Sequence, residues 1–415
     1  MRKRVLFVDD EPMILNGLRR ALHGKREEWE LHFVESAETA LGALDKEPFD
    51  IVITDMRMPG MDGAELLELV KERHPNVIRL ILSGQASRES ILRAVAPAHQ
   101  FLSKPCEPSE IVARIAQAFA MRDMLSSAAV RTLVSRLRTI PSLPAIYQEV
   151  TAVLNSGDPS VAQIEKIISR DVSMAAKILQ MANSAFLGAC GRVSNLLHAI
   201  SLIGIETIRT LVLSLHVFSQ FDSNSDVAAY LPALWDHSME TAKLARRIAQ
   251  AENSPKAMLE ESFTAGLLHD LGKIVFLAEM PADYRPILAE AKPSSVISLE
   301  LSRLGCTHAQ VGAYLLSLWG LPMPLVRAVA YHHFPLESGE PQFCSLTAAH
   351  VADALASAND PSPVNRDIEL DLLYLDQLGL GARIDPWRSL HLPPEARTEN
   401  AKSGRPSKSA ARSGD

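Results

Sequence analysis

Over the first 120 or so residues, short apolar runs rich in β-branched side chains alternate with amphipathic stretches. The runs are RVLFV, ELHFV, FDIVITD, VIRLILS and HQFLS. The stretches are MILNGLRRAL, AETALGALDKE, AELLELVKERH, ESILRAVA and SEIVARIAQAFAMRDML. A strand that is apolar at consecutive positions must be covered on both faces, and parallel neighbours need a crossover helix between them. The alternation therefore predicts a doubly wound, parallel, five-stranded α/β domain over residues 3–122.

Beyond residue 137 the strand signal stops. SLPAIYQEVTAVLN, SVAQIEKIIS, SMAAKILQMAN and IETIRTLVLSLHVF carry apolar residues at three-and-four spacing, and Pro and Gly punctuate them. An all-α domain is expected over 137–355, joined to the first by a helical linker, 123–136. A helical and irregular extension follows over 356–392. The last stretch, 393–415, is small, polar and of mixed charge, and is expected to be disordered. A chain of 415 residues exceeds one ordinary core, so several domains fit its length.

Composition narrows the function classes. The net charge of −7 gives no support for nucleic-acid binding by the whole chain. The four cysteines form no CxxC pair, so neither a disulfide framework nor a zinc knuckle is expected. No stretch approaches the roughly 18 apolar residues of a membrane span, and a cytoplasmic protein without membrane insertion is expected.

In a doubly wound sheet, ligands bind at the carboxyl ends of the strands. Those ends carry Asp9 and Asp10, Asp55, Ser83 and, after the fifth strand, Lys104. Converging carboxylates repel one another by about 4 kcal/mol per pair at 4 Å and an effective dielectric near 20. A hard divalent cation such as Mg2+ relieves that cost. A carboxylate held beside a metal and a lysine can act as a nucleophile towards a phosphoryl donor.

The motifs FVDDEP, VITDMRMPGMDG, LILSGQ and FLSKP resemble, in order and spacing, those of the receiver domain of two-component response regulators. The resemblance implies that Asp55 is phosphorylated by a sensor histidine kinase. It implies that Asp9, Asp10, Asp55 and the backbone of Arg57 hold Mg2+, and that Lys104 contacts the phosphoryl oxygens. Ser83 and Phe101 would be the switch residues, and a phosphorylation-dependent homodimer is an expected consequence.

Six of the thirteen histidines, His237, His269, His308, His332, His333 and His350, fall between 237 and 350. They sit in LWDHSME, GLLHDLGK, CTHAQVGAYLL, AVAYHHFP and AAHVADALA. Imidazoles mixed with carboxylates suit a transition metal such as Fe, Mn or Zn. Lys273, one turn beyond His269, is placed to meet a phosphate.

This half resembles the HD superfamily of metal-dependent phosphohydrolases. More narrowly it resembles the HDOD domain, through IPSLPAIYQEV, IISRDVSMAAKILQMANSAFLG, VSNLLHAISLIGIETIRTLVL and LLSLWGLPMPLVRAVAYHH. The resemblance implies a metal-ligand set of His237, His269, Asp270, His308, His332, His333 and Asp353. The cyclic-di-GMP phosphodiesterase branch continues its double histidine with an acid and a Gly-Tyr-Pro loop. Here the sequence reads HHFPLESGEP, which argues against that activity. The expected output is non-catalytic signalling to a downstream protein partner. The alternative is a receiver-gated phosphohydrolase or phosphodiesterase acting on a nucleotide or cyclic dinucleotide.

Overall fold

In the computed structural model the described residues are 2–83, 97–104, 107–125, 159–183, 193–205, 230–290, 295–358 and 368–391, with shorter pieces at 129–130, 133–134, 140–142, 149–150, 153–154, 208, 218–220, 362 and 365. The helix expected over 89–96, most of 142–155 and 205–218, half of the linker 123–136 and the tail 393–415 lie outside them. Where the linker is described, it is helical.

Strands β1 (Lys3–Val8), β2 (Trp29–Val34), β3 (Ile51–Asp55), β4 (Ile78–Ser83) and β5 (Gln100–Ser103) pair in parallel in the order β2-β1-β3-β4-β5. Val5, Leu6 and Phe7 are consecutive and all fully buried, as are Ile51, Val52 and Ile53, so both faces of the sheet are covered. Each such side chain contributes roughly 1.5–3 kcal/mol of burial. The cover is α1 (Pro12–Ala21), α2 (Ala37–Leu44), α3 (Gly63–Arg73) and α4 (Pro108–Leu125). Local chemistry starts these helices: Ser36 Oγ accepts the Thr39 N–H, and Asp62 and Glu65 form a reciprocal cap on α3. The register pairs Val8 with Thr54, so the residues that follow them, Asp9 and Asp55, emerge side by side where the strand order reverses.

The second domain contains α5 (Val161–Ile168), α6 (Val172–Ala182), α7 (Leu196–Ile203), α8 (Leu231–Ala251), α9 (Lys256–Leu268), α10 (Leu271–Glu279), α11 (Pro281–Glu290), α12 (Val296–Leu304), α13 (His308–Leu318), α14 (Met323–Tyr331) and α15 (Ser345–Ser357). The long α8 packs on α9 and α15, while α13 lies between α10 and α14. One feature corrects the all-helical expectation. Ile140–Ser142 (β6) and Phe218–Gln220 (β7) pair as a two-stranded parallel sheet. Segments of three residues are too short to show alternation, and Phe218 closes a run that reads as helical, so periodicity could not reveal them.

The extension after 356 folds back as α16 (Leu372–Gln377) and α17 (Ile384–His391). Trp387 is fully buried with Leu244, Ile248, Val351 and Tyr374, and its Nε1–H donates to Glu252 at 2.9 Å. The two domains touch through α4 of the first and α13 of the second. Among the described residues no helix is long and apolar enough to cross a membrane.

Candidate functional site

The first site lies at the carboxyl ends of β1 and β3. Asp9 and Asp55 are 1% and 7% exposed. The Lys104 ammonium bridges them, 2.6 Å from Asp9 Oδ2 and in direct contact with Asp55 Oδ1. Burial opposes the charge on Lys104, but Asp55 and Asp9 outweigh it and hold its pKa above the usual lysine value. The remaining carboxylate oxygens are aimed by the backbone. The Glu11 N–H donates to Asp9 Oδ1 at 3.0 Å, and the Arg57 N–H donates to Asp55 Oδ2 at 2.7 Å. Asp10 is partly exposed and has no hydrogen-bond or ion-pair partner among the described residues. Two buried carboxylates against one ammonium leave net negative charge, and a hard divalent cation with oxygen ligands fits that set. Ser83 ends β4 opposite Ser103, and Phe101 pairs with Ile81. The side chains of Ser83 and Phe101 lie outside the described residues.

The second site is a cluster of imidazoles and carboxylates inside the helical domain. The chain supplies its members from five places: His237 on α8, His269 and Asp270 between α9 and α10, His308 at the start of α13, His332 and His333 after α14, and Asp353 on α15. Close helix approach makes the convergence possible. A Cβ at Gly272 would collide with the carbonyl oxygen of His308, so only glycine lets α10 lie this near α13.

The structure brings all seven residues expected from the sequence together. His237 Nε2 is 3.0 Å from Asp353 Oδ1. His269 Nε2 is 3.3 Å from Asp270 Oδ2 and 3.6 Å from Asp353 Oδ1. His308 Nε2 and His332 Nε2 are 3.2 and 3.9 Å from Asp270 Oδ1, and His333 Nε2 is 2.9 Å from His308 Nε2. Three overlapping groups have donor atoms close enough to share an ion: His237, His269 and Asp353; His269, Asp270 and His332; and His308, His332 and His333. Four buried atoms facing inward make no hydrogen bond: His269 Nε2, Asp270 Oδ1, His332 Nε2 and Asp353 Oδ2. Three of the four lie 3.2–3.9 Å from an ion-pair partner without hydrogen-bond geometry, and a divalent transition metal fits a set of nitrogen and oxygen donors arranged in this way.

The electrostatics are strongly coupled. Burial opposes ionisation of both aspartates. His269 and Lys273 nevertheless hold Asp270, and His269 and His237 hold Asp353, well below the usual carboxylate range. Burial also disfavours an imidazolium at His269, but Asp270 and Asp353 hold its pKa well above the ordinary value. Against the same burial, Glu300 and Asp270 raise His308 to about 9. Burial and the charge of His269 push His332 down to about 3. Burial and His332 likewise keep His333 well below its usual value.

Lys273 is fully buried and its Nζ donates to Asp270 Oδ2 at 2.8 Å. That ties the lysine to the cluster rather than presenting it to a phosphate arriving from solvent. His237, His269, Asp270, His308, His332 and Asp353 are each at most 2% exposed.

One residue that sequence reasoning missed completes the cluster. Glu300 on α12 is fully buried and accepts from His308 Nδ1 at 2.9 Å, from the His308 backbone N–H at 2.9 Å and from Tyr284 Oη at 2.7 Å. A glutamate in VISLELSRL reads as the polar face of an amphipathic helix, and its only sequence clue is that it precedes His308 by eight residues. His350 plays a different part. Its Nδ1 donates to the His332 carbonyl at 2.6 Å and its Nε2 accepts the Asp371 N–H at 2.9 Å, so both nitrogens are spent holding His332 and the C-terminal extension.

Residues 5–116 match the response regulator receiver domain family, and residues 140–335 match the HDOD domain family. The chain is a response regulator with an HDOD output domain. Asp353 belongs to the histidine cluster although it lies beyond the stretch that matches the HDOD family. Among curated relatives, an uncharacterized protein of Treponema pallidum is 29% identical over 206 residues, covering 49% of this chain and 39% of its own length. The hydrogenase transcriptional regulatory protein HoxA of Cupriavidus necator is 33% identical over 166 residues, covering 40% of this chain and 33% of its own length. The response regulator thus spans no more than two fifths of the length of these two relatives. A solved virulence factor of Campylobacter jejuni superposes with a TM-score of 0.51 at 21% identity, covering 66% of this chain and 99% of that one, and shares the fold.

Proposed function

We propose that Asp55 accepts a phosphoryl group from a sensor histidine kinase, with Mg2+ held by Asp9, Asp10, Asp55 and the Arg57 backbone. The HDOD domain then carries the signal to a downstream protein. The observation that carries this reading is the Lys104 ammonium seated between Asp9 and Asp55. It places a cation where the oxygens of a transferred phosphoryl group would gather. New charge-assisted hydrogen bonds of roughly 1.5–3 kcal/mol each to the phosphoryl oxygens approach the roughly 5.5 kcal/mol that reverses a 1:99 equilibrium. Incubation with acetyl phosphate and Mg2+ should label the wild-type protein and leave Asp55→Asn unlabelled. Equal labelling of the two would remove the assignment.

In the same reading, the HDOD cluster holds a divalent transition metal through His237, His269, Asp270, His308, His332, His333 and Asp353. The support is the set of inward-facing atoms without hydrogen bonds. Such an ion would cross-link five helical segments and thereby fix the surface offered to a partner.

Phosphoester hydrolysis by a metal-dependent HD-type site is the second reading, and the full ligand set favours it. The burial of nearly every ligand, and the pairing of Lys273 with Asp270, weigh towards signalling instead. Metal analysis of the purified protein, paired with assays on cyclic dinucleotides and simple phosphodiesters, separates the readings. Turnover abolished by His269→Ala would replace signalling by catalysis.

A further inference from the structure

Of the seven large apolar side chains that are exposed among the described residues, four lie on two adjoining segments. Phe334 and Leu336 are 51% and 37% exposed and belong to the stretch after the double histidine, where Pro335–Ser338 forms a 3-10 turn. Leu372 and Leu373 are 56% and 59% exposed and open α16, which packs against that turn. Apolar residues scattered singly over a surface are ordinary, whereas a group on adjoining segments marks an interaction site. Helix α16 already buries Tyr374 and Leu375, so both of its sides are apolar. A surface helix with nothing further to meet carries polar residues outward instead.

The two segments are pinned to each other through His350, which holds the His332 carbonyl, two residues before Phe334, and the Asp371 N–H, one residue before Leu372. The Tyr374 hydroxyl is hydrogen-bonded to Thr347 Oγ1 at 2.8 Å. The charge around the patch has one sign. Residues 332–345 and 368–382 carry Glu337, Glu340, Glu369, Asp371 and Asp376 and no Lys or Arg. Glu340 is paired with Arg327 of α14, while Glu337, Glu369 and Asp376 are exposed. Burial pushes the Tyr374 hydroxyl above its usual pKa, and Cys344, Glu340 and Asp371 add to the shift, so acids from both segments reach one place. The patch also borders the histidine cluster. His333 alone among the seven cluster members is not fully buried, and the Phe334 ring lies 6.5 Å from its imidazole.

We propose that this patch is where the downstream protein docks, and that the partner presents a short amphipathic helix with apolar anchors flanked by Lys and Arg. The inference rests on the signalling reading of the HDOD domain given above. The anchors settle on Phe334, Leu336, Leu372 and Leu373, and the cations meet the acidic rim, the apolar-centre and polar-edge arrangement of protein interfaces. The negative rim favours a basic partner and opposes an anionic lipid surface. The docked helix covers His333, the one cluster member that solvent reaches.

The probe is a synthetic leucine–lysine peptide of helical repeat, about 18 residues long so that it can form a helix, with a leucine–glutamate peptide of the same repeat as control. Each is titrated against the full chain, and hydrogen exchange locates the contact. The lysine peptide should bind and slow exchange over 333–340 and 371–377 by about fivefold or more, and the glutamate peptide should not. The variant Phe334→Ser, Leu372→Ser, Leu373→Ser should weaken binding at least about tenfold, the scale of one buried leucine, with circular dichroism checking its fold. Should it fail to fold, Glu337→Lys should still weaken the lysine peptide and strengthen the glutamate peptide. Protection confined to other segments, equal binding of the two peptides, or a folded triple variant that binds like wild type would overturn the patch. So would binding to phosphatidylglycerol vesicles that the triple variant loses, which would assign the patch to a membrane. Phosphodiester turnover abolished by His269→Ala would instead remove the signalling reading, whichever peptide binds.

Discussion

The imidazole of His308 and the carboxylate of Glu300 are bound twice over: Nδ1 and the backbone N–H of His308 both lie 2.9 Å from Glu300 Oε2. With Nδ1–H donated to Glu300, Nε2 is the atom left to face Asp270 and His333. The carboxylate thus sets which nitrogen enters the cluster, the arrangement by which a second carboxylate orients a metal-ligating histidine.

Glu300→Gln should therefore lower the affinity of the HDOD domain for a divalent transition metal by about 10–100-fold while the fold persists. Competition with a chromophoric chelator measures it, and circular dichroism checks the fold. Glu300→Ala should destabilise the domain by about 3–5 kcal/mol in urea, because it leaves His308 and Tyr284 buried without their acceptor. A Glu300→Gln variant that binds metal like wild type would remove Glu300 from the site.

Lys104→Met takes away the cation between Asp9 and Asp55 and leaves two buried carboxylates opposed. Its melting temperature should fall in the presence of EDTA, by an amount on the order of 2–4 kcal/mol in stability. Millimolar Mg2+ should restore more stability to this variant than to wild type, since the ion relieves a larger repulsion. Identical Mg2+ responses would show that the carboxylates do not share an ion.

Gly272→Ala should be among the most damaging single changes in the helical domain. Its Cβ meets the backbone carbonyl of His308, which no rotamer change can move aside. Forced separation of α10 from α13 should cost about 3 kcal/mol or more. Urea unfolding followed by Trp fluorescence reads it, and a shift below about 1 kcal/mol would contradict the close packing.

The acid limb of the stability profile should carry a contribution from His99. Burial pushes its pKa well below the ordinary 6.5, and the charges of Arg79, Lys71 and Lys177 add to the effect. Its Nδ1 accepts the Arg79 N–H at 3.1 Å, a bond that protonation removes. Between the two pKa values the unfolded chain binds more protons than the folded one, so stability is complete above about pH 6.5 and is lost as the pH falls towards the folded-state value. His99→Gln should flatten the loss of stability between pH 7 and pH 5 by up to one proton's slope. A slope unchanged in the variant would assign the acid limb to other groups.

Much of the receiver was legible in the linear order of residues. Strands buried on both faces must be apolar at every position, so β1, β3 and β4 announce themselves, and their carboxyl ends sit at fixed points in the sequence. Once the sheet is parallel, Asp9 and Asp55 have to emerge on the same side. The seven members of the histidine cluster could also be named in advance, because the motifs that carry them resemble those of the HD and HDOD families.

What the sequence alone determined was therefore the set of strand-end residues at the receiver site, since backbone periodicity and strand polarity are local properties of the chain, while the seven cluster members followed from the resemblance of their motifs. Only the tertiary structure decided how those groups are used: that Lys273 neutralises Asp270 in the interior, that Glu300 rather than solvent meets His308, that His350 is a strut, and that α13 and the turn after it meet Gln100 and Gln117 of the receiver. Each of these depends on segments distant in sequence packing at contact distance. A glutamate or a glutamine has the same local pattern whether it faces water or the end of another domain's helix, so no reading of neighbours along the chain could distinguish the two.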